Sequence, residues 1–284
     1  MVLTCGEVQS QEGITGTVRQ HENFASKFVA PRNLSVWLPP GYDKESSKWY
    51  PVVYMHDGQN LFDPKTSFIG VDWGVDEAMT KLIAEGAAPE AIIVGIWNSP
   101  ARTPEYMPQK ALAMMDTSSP AMAWIRQRFG GDAPLADKYL KFLTGEVKPF
   151  IDSVYRTLRD PANTSVMGSS MGGLVSLYAI CEYPEVFGGA GCLSTHWPAG
   201  EGIVIDYLKT HLPGAAAHKI YFDFGTETLD KEYEPYQNKA DAIMRAAGYT
   251  QGKNWITKKF AGDEHSERAW RNRVHLPLTF LLAK

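Results

Sequence analysis

The chain has 284 residues, 44% of them hydrophobic, with Lys+Arg 28 against Asp+Glu 32 and a formal net charge of −4. The two signs are interspersed and no basic stripe is visible, which argues against a nucleic-acid partner. The longest apolar runs, such as AIIVGIW at 91–97, are far too short for a membrane span.

From the N-terminus, MVLTCGEVQSQ has no basic segment followed by an apolar stretch, so it is not expected to act as a signal peptide. As it stands, the chain is expected in the cytoplasm; removal of a leader would change that to the periplasm or outside the cell. Short β-rich runs then alternate with helix-like segments. Strands are predicted at 34–40, 50–58, 91–97, 164–168, 188–194, 219–225 and 254–262. Several lack polar alternation, as expected of strands covered on both faces. Helices are predicted at 137–157, with a kink or break at Pro149, and at 171–182, 235–247 and 267–283. The alternation implies an α/β fold, a mostly parallel sheet with helices on both faces, in one domain. The proline-rich stretch 99–136 interrupts the rhythm and is expected to form a lid or a wall of a binding pocket. Cys5, Cys181 and Cys192 show no metal-ligand spacing and no disulfide framework, and read as packing residues.

The chemistry centres on VMGSSMGGL at 166–174, where Ser170 lies between Gly168 and Gly172. An apolar strand precedes it and a helix-like segment follows. Strand, Gly-x-Ser-x-Gly and helix together define a nucleophile elbow, a tight turn that exposes the serine above the sheet. Ser169 is a second candidate but lies off the centre of the pattern. A serine needs a base, and in this chain order an acid and then a histidine follow it. His265 falls in a polar loop after the last predicted strand, with Ser266 a candidate N-cap for the final helix. His275 falls inside that helix, His211 and His218 read as surface residues, and His196 comes too early in the chain for a base. The acid is expected in GTETLDKEYEP, after the strand at 219–225; Asp230 is favoured over Glu227, and Asp223 reads as structural. Oxyanion donors are expected from the Met171 N–H and, after the strand at 50–58, from the Gln59 N–H.

On NLSVWLPPGYDKESSKWYPVVYMHDGQNLFD, GSSMGGLVSLYAICEYPEVFGGAGCLSTHWP, YFDFGTETLDKEYEPYQ and GDEHSERAWRNRVHLPLTFLL, the chain resembles a family of serine esterases. Its members include esterase D, enterochelin esterases, the feruloyl and acetyl xylan esterases of carbohydrate esterase family 1, and mycolyltransferases. The resemblance implies an α/β-hydrolase fold with antiparallel N-terminal strands. It also implies a Ser170–Asp230–His265 triad, oxyanion donors at Gln59 and Met171, and neither metal nor organic cofactor. The Asp-x-x-Tyr spacing before EPYQ looks like the family's arrangement and supports Asp230, although the acid loop is longer than in many relatives.

The expected reaction is ester hydrolysis through an acyl-enzyme, on acetyl or feruloyl esters of carbohydrates, with a small-molecule or oligosaccharide ester as the partner. A siderophore trilactone, which is anionic when iron-loaded, is the runner-up. Acyl transfer and a non-catalytic binding role are the further alternatives. His196, Trp197 and Asn60 are candidate substrate contacts. Trp97 and Trp270 could offer flat apolar surfaces, and Arg102, Glu105 and Arg126 polar ones.

Overall fold

The computed structural model describes residues 13–116, 118, 122, 123, 125, 127 and 133–283. Cys5, Pro120 and Arg126 lie outside them. In chain order the elements are β1 (Thr17–Phe24), β2 (Arg32–Leu38), β3 (Val52–His56), α1 (Val75–Ala84), β4 (Ile92–Ile96), α2 (Arg102–Tyr106), α3 (Gln109–Leu112), α4 (Ala136–Phe142), α5 (Lys148–Val154), β5 (Thr164–Ser169), α6 (Met171–Glu182), β6 (Gly189–Leu193), α7 (Ile203–His211), β7 (Lys219–Phe224), α8 (Glu234–Ala246), β8 (Trp255–Lys259), α9 (Glu267–Arg273) and α10 (His275–Leu282).

The strands form one eight-stranded sheet in the order β1-β2-β4-β3-β5-β6-β7-β8. β1 and β2 run antiparallel, as do β2 and β4, and every later pairing is parallel. Both faces are covered. Val52 and Tyr54 of β3 pack with α4, α6 and α7 on one side, while Val53 and Met55 pack with α1 and α10 on the other. That double burial removes the polar alternation from VVYMH and IIVGI. β1 was not anticipated because TVRQHENF is an edge strand with only Val18 fully buried, so its side chains are mostly polar.

The long helix expected at 137–157 is interrupted. Leu143–Val147 forms a π-helical turn before Pro149, the second residue of α5. Proline has no N–H to give and its ring collides with the carbonyl four residues back, so the wider turn accommodates it. The helix expected at 267–283 likewise divides at Val274, and His275 begins α10 instead of lying mid-helix. In the proline-rich stretch, α2 and α3 bury Tyr106, Met107, Ala111 and Leu112 in the larger core. Cys181 and Cys192 are free and buried.

The order β4-β3-β5 sends the chain left from β3 to β4 and then right to β5. Such a switch point opens a crevice at the carboxyl ends of the strands. The turn after β3, carrying Gln59, and the turn after β5, carrying Ser170, therefore become neighbours although more than a hundred positions separate them.

Candidate active site

β5 is buried along its whole length and delivers Ser170 to the sheet edge, directly before α6. Ser170 has φ 56° and ψ −122°, a region that side chains rarely adopt. A Cβ on Gly168 would lie 2.8 Å from the Gly172 carbonyl carbon, so the strand and the helix can pass this closely only without it. The Ser170 N–H donates to Leu193 O at 2.9 Å, and its carbonyl accepts from His196 N at 3.1 Å. These bonds hold the strained turn.

The Ser170 hydroxyl donates to His265 Nε2 at 2.9 Å, and His265 Nδ1 donates to Asp230 Oδ1 at 2.6 Å. The loop after β8 is pinned by the His265 N–H, which donates to Thr228 Oγ1 at 2.8 Å. Tyr233 and Trp270 stand edge-on to the imidazole, with ring centroids 5.8 and 5.0 Å away. Asp230 is 1% exposed, whereas Glu227 is exposed and its carboxylate accepts from the Thr226 hydroxyl. Ser169 lines the same cavity as Ser170 but is not bonded to His265.

Asp230 Oδ2 accepts the Gly225 N–H at 2.6 Å and the Ser194 hydroxyl at 2.6 Å. Ser194 can spend its one proton there because two donors already face its oxygen, Trp270 Nε1 at 3.0 Å and Arg273 Nη2 at 2.9 Å. Burial works against ionisation of Asp230, but the bonds from His265, Ser194 and Gly225 outweigh it and hold the carboxyl below its ordinary pKa. Arg273, itself buried, pairs with Asp223 at 3.1 Å and Asp263 at 2.7 Å. Asp223 is thus structural; burial pushes its pKa up to about 6 despite the arginine.

On the other side of Ser170, Gly58, Gln59 and Asn60 form a single helical turn after β3. A Cβ on Gly58 would lie 2.4 Å from the backbone of Gly95 in β4, so this turn rests directly on the sheet. Asp57 holds it from below, in the left-handed region at φ 58°. Its carboxylate takes a fork from Arg102, Nε at 2.7 Å and Nη2 at 2.8 Å, and a bond from Asn98 Nδ2 at 2.7 Å. Burial disfavours the charge on Asp57, yet Arg102 and Asn98 prevail and its pKa lies below the ordinary value. Beneath, the fully buried His56 bonds Tyr139 through Nδ1, and burial drives its pKa down to about 3. Gln59 is tied by its side chain to Asn98 N at 3.2 Å and by its carbonyl to the Thr66 hydroxyl at 2.6 Å. Met171 is the first residue of α6, so its N–H belongs to the unpaired donors of a helix N-terminus.

Ser170 opens into a cavity of about 570 Å³, walled by Asp57, Gln59, Asn60, Phe68, Asn98, Arg102, Glu267 and Trp270 among others. Asn60 accepts the Phe68 N–H at 3.0 Å and so fixes a rim loop that carries Phe68, 83% exposed. Of the other anticipated contacts, Trp270 and Arg102 line the cavity and His196 and Trp197 do not. His196 turns its ring to Tyr233, and Trp197 is buried with Nε1 bonded to Gln237, because α8 packs over both. Glu105 is equally remote: it forms a buried, two-pronged ion pair with Arg32 at 2.7 and 2.8 Å. Trp97 lines a separate, much smaller cavity and donates to Ser35 Oγ. Asp57, Asn98, Phe68 and Glu267 were not anticipated. Position was the available signal for Asp57, the second residue of HDGQN, and for Glu267, two residues after His265.

Among the described residues, one group of carboxylates has the spacing of a metal site: Asp72, Asp76 and Glu77, within 4.8 Å of one another. Arg271 bridges Asp72 and Glu77 at 2.7 and 2.9 Å, and Asp76 is pushed up to about 7 by burial and its contact with Glu77. The chain's own arginine thus occupies the cluster and offsets part of its charge. No helix among the described residues is long and apolar enough to cross a membrane.

Residues 26–275 match the model of the "Putative esterase" family. The chain is 30% identical over 199 residues to the uncharacterized protein YbbA of Bacillus subtilis (strain 168), covering 69% of this chain and 68% of that one. It is 25% identical over 260 residues to an endo-1,4-beta-xylanase/feruloyl esterase of Xylanibacter ruminicola, covering 90% of this chain and 30% of that much longer protein. Among solved structures, a ferulic acid esterase superposes with a TM-score of 0.67 at 19% identity, over 94% of this chain and 98% of the other. The enterobactin esterase of Shigella flexneri gives 0.64 at 19% identity, over 98% and 61%. With a parallel sheet of this topology and a family match that spans most of its length, the chain belongs to the "Putative esterase" family and is a carboxylic-ester hydrolase of the α/β-hydrolase fold.

Proposed function

We propose that Ser170, His265 and Asp230 are the catalytic triad of this esterase and that the Gln59 and Met171 N–H groups receive the oxyanion. The observation that carries the reading is the unbroken line Ser170–His265–Asp230, at 2.9 and 2.6 Å, opening into the cavity. His265 Nε2 takes the proton as Ser170 Oγ bonds to the ester carbonyl carbon. Negative charge gathers on the carbonyl oxygen, where two fixed donors stabilise it without reorganising. The tetrahedral species collapses, the ester C–O bond breaks, and His265 returns its proton to the departing alcohol. Water then attacks the acyl-enzyme by the same route and releases the acid and Ser170. Asp230, kept ionised, holds the Nδ1–H tautomer and stabilises the imidazolium.

For the substrate, we infer acetyl or feruloyl esters of carbohydrates. Phe68 and Trp270 offer aromatic surface to a phenolic ring or a sugar face, and Asn60, Asn98 and Gln59 offer neutral amides to hydroxyl groups. Similarity to the xylanase/feruloyl esterase points the same way. Among the described residues the cavity wall holds no basic cluster: its arginine, Arg102, is bound to Asp57, which counts against an anionic iron-loaded trilactone.

Ser170→Ala should abolish turnover of 4-nitrophenyl acetate and labelling by a fluorophosphonate probe. Retention of either would refute Ser170 as the nucleophile. Methyl ferulate, an acetylated xylo-oligosaccharide and a catecholate trilactone, compared by kcat/KM, test the substrate class. Preference for the trilactone would overturn the carbohydrate-ester reading.

A further inference from the structure

Glu267 is a charged group in the cavity that the triad and the oxyanion donors leave unused. It is the first residue of α9, 9% exposed, and forms part of the cavity wall with Ser170 and His265. Ser266, the N-cap, fixes its backbone. Apart from its own backbone N–H, its carboxylate has no hydrogen-bond or ion-pair partner among the described residues, although Asp57, His265 and Arg102 all act on it through space. Among the described residues that wall the cavity, the other charges are Asp57 and Arg102, which cancel in their fork. Behind His265, Asp230 keeps its charge in bonds from His265, Ser194 and the Gly225 N–H. Burial pushes its pKa above the ordinary glutamate value, and in its ionised form this unpaired carboxylate adds negative charge to the wall that a bound ester faces.

We propose that Glu267 is a specificity determinant that bars esters bearing a negative charge near the scissile bond and leaves the site to neutral esters. This rests on Ser170 being the nucleophile. An anionic substituent entering the cavity meets Glu267 with no unpaired cation in the wall among the described residues. Like charges brought together with little water between them repel strongly enough to change relative rates by roughly tenfold or more. A neutral substituent meets an unfilled acceptor instead, which a hydroxyl can satisfy.

The test compares near-isosteric pairs in which a carboxylate replaces a neutral group. On the acyl side the pair is 4-nitrophenyl butyrate and 4-nitrophenyl hemisuccinate; on the alcohol side it is 4-acetylphenyl acetate and 4-carboxyphenyl acetate. Wild type should favour the neutral member of each pair by kcat/KM. Glu267→Gln, which keeps the shape and removes the charge, should narrow that preference by roughly tenfold in at least one pair, and Glu267→Ala should do the same. In wild type, raising the salt concentration should narrow it in part. An unchanged neutral-to-anion ratio for both pairs in both variants would overturn the proposal while the esterase reading stands. Wild type inactive on all four esters would refute the esterase reading itself.

Discussion

Asp230→Asn probes the site most sharply, because the surrounding bonds dictate what the asparagine must do. In one orientation the side-chain oxygen replaces Oδ2 and keeps the bonds from the Gly225 N–H and the Ser194 hydroxyl. The amide nitrogen then faces His265 Nδ1, which must become an acceptor. The ring proton moves to Nε2, and Ser170 loses its base. In the other orientation the oxygen still accepts from Nδ1–H, but the NH2 group is forced onto two buried donors. Ser194 cannot turn away, since Trp270 and Arg273 both donate to its oxygen. Each buried donor left without an acceptor costs about 1–3 kcal/mol, so two cost about 2–6 kcal/mol. The competent orientation is then populated at roughly 10⁻² to 10⁻⁴, since about 1.4 kcal/mol is a factor of ten. The expected kcat on 4-nitrophenyl acetate at pH 7 falls by 10²- to 10⁴-fold, roughly, in a protein whose circular dichroism is unchanged; the upper figure matches what this exchange does in serine proteases. Glu227→Gln, at an exposed position, should stay within about twofold of wild type. A D230N enzyme within tenfold of wild type, or an equal loss in E227Q, would refute the assignment of the acid.

Gly58→Ala places a methyl group 2.4 Å from the β4 backbone at Gly95, and neither chain can yield without disturbing the sheet. The expected effects are a stability loss of about 1–3 kcal/mol in denaturant titration and a fall in kcat as Gln59 is displaced; normal values of both would show that this contact is slack. His56 predicts a pH dependence of stability. Its pKa falls from 6.5 in the unfolded chain to about 3 in the folded one, so its contribution is present above pH 6.5 and is lost as pH drops toward 3. Between pH 7.5 and 5 the loss is about 2 kcal/mol. His56→Gln should flatten that slope in urea titrations, and an unchanged slope would mean that His56 takes up a proton in the native state.

The alternation of apolar strands and amphipathic segments was enough to assign the fold, because burial on both faces of a parallel sheet leaves a direct mark on residue type. The elbow was equally legible, since Gly168 and Gly172 are demanded by a close approach within a few positions of Ser170. His265 followed from chain order. Helix interruptions were partly visible as Pro149, but whether the chain breaks or widens into a π turn depends on what packs around it. The polar edge strand β1 left no apolar signature.

The surroundings of the two candidate acids, and the ground beneath the turn that carries Gln59, are visible only in three dimensions. Asp230 and Glu227 are three positions apart in one loop, and composition cannot tell which is buried against His265 and which faces water. Asp57, Asn98 and Arg102 come from different segments and meet only because β3 and β4 are adjacent in the sheet. Trp270 and Arg273 of α9 converge on Ser194 at the end of β6, which in turn donates to Asp230. His196 and Trp197, plausible from their place after β6, are instead taken up by Tyr233 and Gln237. Local sequence determined the elements and the turn that presents Ser170, because turns and burial act on neighbouring residues. The hydrogen-bond partners of Ser170 and the charge of its cavity required the sheet order, because hydrogen bonds and electrostatic fields act between residues that only the folded chain brings together.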